Sequence, residues 1–145
     1  NYLVVNQIEN FLWGKLIGII GSHGLSVIFN KSFKQLYLCN KHKNYMKKIF
    51  LEADIIREKL NVKSLMSVEK RMKKVSMVGN HKSSLYYDFK NNIKSELDYN
   101  YGIMLDLINF FRIKNSIIKK VTIKLRKLES LGSDKLNKYW KSIKS

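Results

Sequence analysis

The sequence predicts an α+β fold dominated by helices: a small β-rich segment over residues 1–40, then a helical body of four to five helices over residues 43–145. Three observations lead there. Glycine is concentrated near the start, where Gly14, Gly18, Gly21 and Gly24 separate short apolar runs that carry little charge. From Lys43 onward the apolar residues recur instead at spacings of three and four, the period of an amphipathic helix. No linker rich in proline, glycine or serine and no internal repeat divides the chain, so its 145 residues read as a single basic domain, either whole or cut from something longer.

After an apolar stretch with Val4, Val5, Ile8, Phe11 and Leu12, the runs Lys15–Ile20, Leu25–Phe29 and Lys34–Cys39 read as strands of a small meander. Gly21–Gly24 and Asn30–Phe33 would be its turns. Met46, Ile49, Ala53, Ile56 and Leu60 then form one stripe of a helix from about residue 43 to 60. A second helix carries Leu65, Val68, Met72 and Val75 inward, with Ser64 as N-cap and Gly79-Asn80 as stop. Ser83 or Ser84 caps a third, whose buried side is Leu85, Phe89, Ile93 and Leu97. A turn at residues 100–102 leads into a long helix from about 103 to 130, with Leu107, Phe111, Ile117, Val121, Leu125 and Leu128 inward. Gly132 ends it, Ser133 or Asp134 restarts, and Leu136, Trp140 and Ile143 make a short amphipathic close.

Charge is the strongest compositional signal. Lys and Arg number 28 against 11 Asp and Glu, for a formal charge of +17. Ala53 is the only alanine and Thr122 the only threonine, while Lys, Asn, Ile and Tyr abound, which points to an AT-rich coding genome. Codon bias explains part of the lysine but not the shortage of acid. The charge also comes in blocks: residues 1–30 are neutral, 31–50 carry +6, 61–82 carry +5 and 101–145 carry +8. Tyr37, Tyr45, Tyr86, Tyr87, Tyr99, Tyr101, Tyr139 and Trp140 lie beside Lys-rich stretches, a pattern suited to neutralising phosphates and stacking on bases. The nucleic-acid-binding candidates are therefore Lys31, Lys34, Lys41, Lys43, Lys47 and Lys48; Lys70, Arg71, Lys73 and Lys74; and Lys119, Lys120, Lys124, Arg126 and Lys127.

Other chemistry finds little support. A single cysteine, Cys39, excludes an internal disulfide and suits a reducing compartment. Cys39 and His42 have C-x-x-H spacing, but the second spaced pair of a zinc site is missing. Gly14-Lys15 lacks the rest of a Walker motif. Glu52 with Asp54, and Glu96 with Asp98, stand two apart and point to different sides of a helix rather than into one acid–base site. Gly21-Ser22-His23-Gly24 resembles the GXXG loop of KH domains, which would imply close approach to a single-stranded backbone, although a hairpin turn accounts for the same glycines and is the reading adopted. Lys82–Lys90 is similar to the end of the recognition helix in TetR-type repressors, which keeps DNA as an alternative ligand.

The sequence alone thus leads to a non-enzymatic, RNA-binding structural component of a ribonucleoprotein, of the organellar ribosomal kind, with rRNA and neighbouring particle proteins as partners. No catalytic residue, metal or cofactor is expected. The expected location is intracellular, in the mitochondrial matrix or another organelle. A DNA-binding protein is the first alternative, and a helical protein-interaction or peripheral membrane module the second, with Lys135–Ser145 as its basic amphipathic end. No run of about 18 apolar residues is apparent, so no transmembrane segment is expected.

Overall fold

A computed structural model describes residues 8–143, and within them the chain is all helix, with no strand. Eight α-helices follow one another: α1 (Ile8–Phe29), α2 (Phe33–Leu38), α3 (Asn40–Lys59), α4 (Val68–Met77), α5 (Ser84–Lys90), α6 (Ile103–Phe110), α7 (Ile117–Glu129) and α8 (Gly132–Ser142). A π-helical turn, Asp98–Gly102, runs directly into α6. The expected β-rich segment is therefore corrected to α1 and α2; its first residues, 1–7, lie outside the described part.

The error has a physical cause. The second half of α1 is enclosed by α3, α5 and α7, so Ile17, Ile20, Leu25 and Val27 are all fully buried and no polar face marks the helical period. Its glycines are packing residues rather than turns. A Cβ at Gly21 would overlap the ring of Phe50 on α3, and one at Gly24 would lie 2.5 Å from the Tyr101 hydroxyl and 2.8 Å from Leu125 Cδ1. Gly21-Ser22-His23-Gly24 is thus neither a hairpin turn nor a GXXG loop. By length and composition α1 is also long and apolar enough to cross a membrane, a property it shares with core helices of its kind.

The buried half of α1 is held through its own backbone. The Tyr101 hydroxyl accepts from the Gly24 N–H at 2.7 Å and donates towards the Ile20 carbonyl at 3.1 Å, the two ends of one rung of the helix ladder. Ser83 Oγ donates to the His23 carbonyl at 3.2 Å. At the C-terminal end, where the last carbonyls have no partner within the helix, Trp140 Nε1 donates to Val27 at 2.8 Å and Tyr139 Oη to Ile28 at 3.0 Å.

Helix ends follow local chemistry closely. Ser32, Ser67, Ser83 and Ser116 each accept a backbone N–H from the first turn they precede, and Ser32 with Gln35 forms a capping box. Stops fall on left-handed residues: Asn30, Asn61, Gly79, Asn92, Arg112 and Gly132 all have positive φ, as does Asn115 just before Ser116. Arg112 and Asn115 divide the expected helix 103–130 into α6 and α7. Likewise α5 ends before Asn92, which leaves Ile93 exposed rather than inward. The helix expected from Ser64 is capped at Ser67 instead. The stripe on α3 is as expected, with Met46, Ile49, Ala53 and Ile56 buried.

Candidate functional site

A large groove runs along α1. Its volume is about 950 Å³, and α1 contributes Phe11, Gly14, Lys15, Gly18, Ile19, Ser22 and His23 to its wall. The opposite side comes from Leu65 and Met66, from Arg71, Lys74 and Val75 on α4, and from Phe50 on α3. Phe33 on α2, Val78 just after α4, Ser84 at the start of α5 and Glu96 shortly before the π-helical turn complete the lining. A small, more enclosed recess continues from it and shares Ile19, His23, Ser84 and Glu96, adding Leu85, Asp88, Leu97, Asn100 and Tyr101.

The charges in the groove are unequal. Lys15, Arg71 and Lys74 bring three cations, whereas Glu96 is its one carboxylate. Arg71 is buried and fixed, its Nη1 donating to the Gly14 carbonyl at 2.9 Å. Burial and the nearby Arg57 lower the guanidinium's pKa, with Asp54 acting the other way. A guanidinium nevertheless stays charged across the physiological range. In the recess, burial pushes Asp88 above the ordinary carboxylate value, and repulsion from Glu96 and Glu129 adds to the effect. The site can therefore hold an anion against Lys15 and the α4 cations. Its recess, lined by carboxylates, suits hydrogen-bond donors.

His23 lies between the two cavities, and burial lowers its pKa to about 4. It is a neutral imidazole at neutral pH, against the ring of Phe33 at 5.5 Å between centroids. The unfolded chain binds this proton near pH 6.5 and the folded chain only near 4, so stability contributed above pH 6.5 is lost as pH falls through that window. Urea unfolding at pH 7 and pH 4.5 should show a loss from this group of about 2–3 kcal/mol. His23→Gln is expected to remove that part of the difference, and an unchanged acid limb in the variant would show that His23 does not titrate in this way.

The basic residues chosen from sequence occupy several surfaces. Lys34 is on α2; Lys41, Lys43, Lys47 and Lys48 are on α3; Lys70, Arg71, Lys73 and Lys74 are on α4; and Lys119, Lys120, Lys124, Arg126 and Lys127 are on α7, with Lys31 in the turn before α2. The structure brings the first two groups together, since α4 packs on α2 and α3 and Lys47 pairs with Glu69 at 3.8 Å. Some are already engaged: Arg126 with Asp98 at 2.8 Å, Lys43 over the Tyr37 ring at 4.1 Å and Lys124 over the Tyr139 ring at 5.5 Å. Only Arg71 and Lys74 line the groove. Lys15, Ser22, His23, Ser84 and Glu96 were not selected from sequence. One signal was present: Lys15 is the lone charged residue between Glu9 and Lys31. As for metals, His42 stacks on Phe29 at 4.1 Å, and no group of three or more His, Cys, Asp or Glu side chains gathers among the described residues.

Residues 7–109 match the family described as ketopantoate reductase PanE/ApbA C terminal. Solved structures of the same fold include a PanE/ApbA family ketopantoate reductase from Ralstonia eutropha JMP134, with a TM-score of 0.80, 19% identity and coverage of 87% of this chain and 43% of that one. D-mandelate dehydrogenase, solved with NADH and anilino(oxo)acetate, gives 0.77 at 18% identity, covering 92% and 55%. Dimeric ketopantoate reductase from Staphylococcus aureus gives 0.74 at 11%, covering 88% and 45%. The chain spans about half the length of these solved chains. Among curated proteins, none matches the sequence.

The family match overturns the expectation of a non-enzymatic, RNA-binding ribosomal component, and with it rRNA, DNA and ribonucleoprotein neighbours as partners. The Lys-rich blocks that suggested a polyanion are in good part the solvated faces of α3, α4 and α7, whose other faces build the core. By its match over residues 7–109, the chain belongs to the ketopantoate reductase PanE/ApbA C-terminal family.

Proposed function

We propose that this chain is the substrate-binding portion of a nicotinamide-dependent reductase that acts on an α-keto acid of the ketopantoate kind. The observation that carries this reading is the groove along α1, where Lys15, Arg71 and Lys74 line a mostly apolar surface with a single carboxylate, Glu96. A small acid needs both elements: cations for its carboxylate and polarised carbonyl, and apolar walls that keep water from them.

The division of labour follows from position. Arg71, immobilised by Gly14, and Lys74 one turn along α4 attract the carboxylate. Lys15, on the α1 wall, is assigned to the keto oxygen, where an ammonium both stabilises negative charge and supplies a proton. Glu96 and Ser84, at the mouth of the recess, accept from and donate to polar groups on the substrate's far end. A nicotinamide cofactor is the hydride source in such a reaction. Its pyrophosphate needs a strand, a glycine turn and a helix N-terminus. Gly18, Gly21 and Gly24 lie inside α1, so the described residues hold no such cradle and no cofactor contact is assigned to them.

Calorimetric titration of ketopantoate into the chain tests the assignment. Binding should weaken with salt, and Lys15→Ala should weaken it by about tenfold to a hundredfold, the loss of one charge-assisted hydrogen bond. The reading fails if ketopantoate does not bind, or if its uncharged amide binds equally well.

A further inference from the structure

We propose that the outer face of the helical hairpin formed by α6 and α7 is a self-association surface, and that its occupant is a second copy of this chain. The inference is independent of what fills the groove along α1, to which no residue of α6 or α7 contributes. Tyr99, Ile103 and Phe110 follow one another at spacings of four and seven, so they form a single stripe along the π-helical turn and α6. They are 74%, 48% and 78% exposed. Helix α7 runs back beside them. Its Arg126 reaches Asp98 at 2.8 Å and lies 3.7 Å from where a Cβ on Gly102 would stand, which sets Ile123, one turn earlier and 56% exposed, next to the stripe. Phe110 is also held in place before any partner arrives. Its ring meets Phe111 edge to face, at 5.1 Å between centroids, and Phe111 in turn packs against the core.

Area and charge together identify the partner. The two exposed aromatics offer roughly 300 Å² of apolar surface, and the two isoleucines bring the face to roughly 400 Å². An interface at the lower end of the stable range takes about 600 Å² from each partner, and in homodimers about 65% of that is apolar, so two copies of this one face meet the requirement. The charges suit a twofold axis as well. Asp98 and Arg126 neutralise one another, Asp106 stands within the stripe between Ile103 and Phe110, and exposed Lys120 and Lys127 flank Ile123 on α7. Laid across itself about such an axis, the face sets the free carboxylate of one copy towards the ammonium groups of the other. The net charge of +17 opposes the pairing at long range, so the dimer is a weak one.

Sedimentation equilibrium of the full chain, from about 1 to 200 µM, tests the proposal. A monomer–dimer equilibrium with Kd of about 10 µM is expected. Raising NaCl from about 0.1 to 0.5 M should tighten it several-fold, because screening removes the repulsion between two basic chains, the opposite of the salt effect expected for an anion in the groove. Phe110→Glu and Tyr99→Glu should each weaken the dimer by at least about tenfold. Both side chains are exposed, so circular dichroism should show the variants as helical as wild type. Leu38→Glu, at an equally exposed apolar residue on α2, should dimerise like wild type. A wild type that stays monomeric up to about 200 µM overturns the proposal, since the face is then not one for a second copy. So does a dimer that Phe110→Glu and Tyr99→Glu leave intact, or one that Leu38→Glu disrupts equally.

Discussion

Tyr101→Phe is expected to destabilise the protein by about 1–3 kcal/mol, although it removes one atom and opens almost no space. The hydroxyl is fully buried and bridges the Gly24 N–H and the Ile20 carbonyl inside the core. Burial holds the phenol well above its usual pKa, so it remains a neutral donor and acceptor at any pH at which the protein folds. Without it, the Gly24 N–H and the Ile20 carbonyl are left with only their own helix rung, and the two buried hydrogen bonds lost are together worth about 1–3 kcal/mol. Urea unfolding measures the effect. Tyr139→Phe is the natural comparison, since its hydroxyl serves the Ile28 carbonyl from a partly buried position and its loss should cost no more than about 1 kcal/mol. A Tyr101→Phe variant within 0.5 kcal/mol of wild type would show that the bridge contributes nothing.

Gly21→Ala should be comparably damaging for the opposite reason, excess volume. The added methyl enters the space of the Phe50 ring, which is fully buried and must shift to admit it. Overpacking of this kind costs about 1–3 kcal/mol and sometimes more, against about 1 kcal/mol gained from helix propensity. The diagnostic is the double variant: Gly21→Ala with Phe50→Leu should be more stable than the sum of the two single losses predicts. Strict additivity would mean that the methyl and the ring do not compete.

These two sites also show why the sequence misled. Amphipathic helices announced themselves: Met46, Ile49, Ala53 and Ile56 on α3 are buried as their spacing requires, and Gly79, Ser83 and Gly132 mark ends as expected. A helix buried on all sides has no polar face to set its phase, so α1 was broken at its glycines. Those glycines answer to Phe50, Tyr101 and Leu125, which come from distant parts of the chain. The asparagines at positions 30, 92 and 115 looked like products of codon bias, yet they occupy left-handed positions that few other residues tolerate.

The groove was less legible than the fold. Its lining comes from α1 to α5, the segment at Leu65 and Met66 and the segment around Glu96, and none of these carries a self-sufficient motif. Net charge drew attention to the longest Lys runs, where lysine lies on solvated faces. The informative cation was the isolated one, Lys15, whose surroundings are apolar and glycine-rich. Arg71 was selected, but as part of a basic run rather than as the buried guanidinium tied to Gly14.

The Tyr101–Gly24 bridge also constrains the protein's history. A side chain can arise at position 24 only after both Tyr101 and Leu125 have given way, because a Cβ there collides with Leu125 Cδ1 and with the hydroxyl that bonds the Gly24 amide. Loss of the tyrosine first costs the buried helix two hydrogen bonds. Either order passes through a weakened intermediate, so the two positions constrain one another.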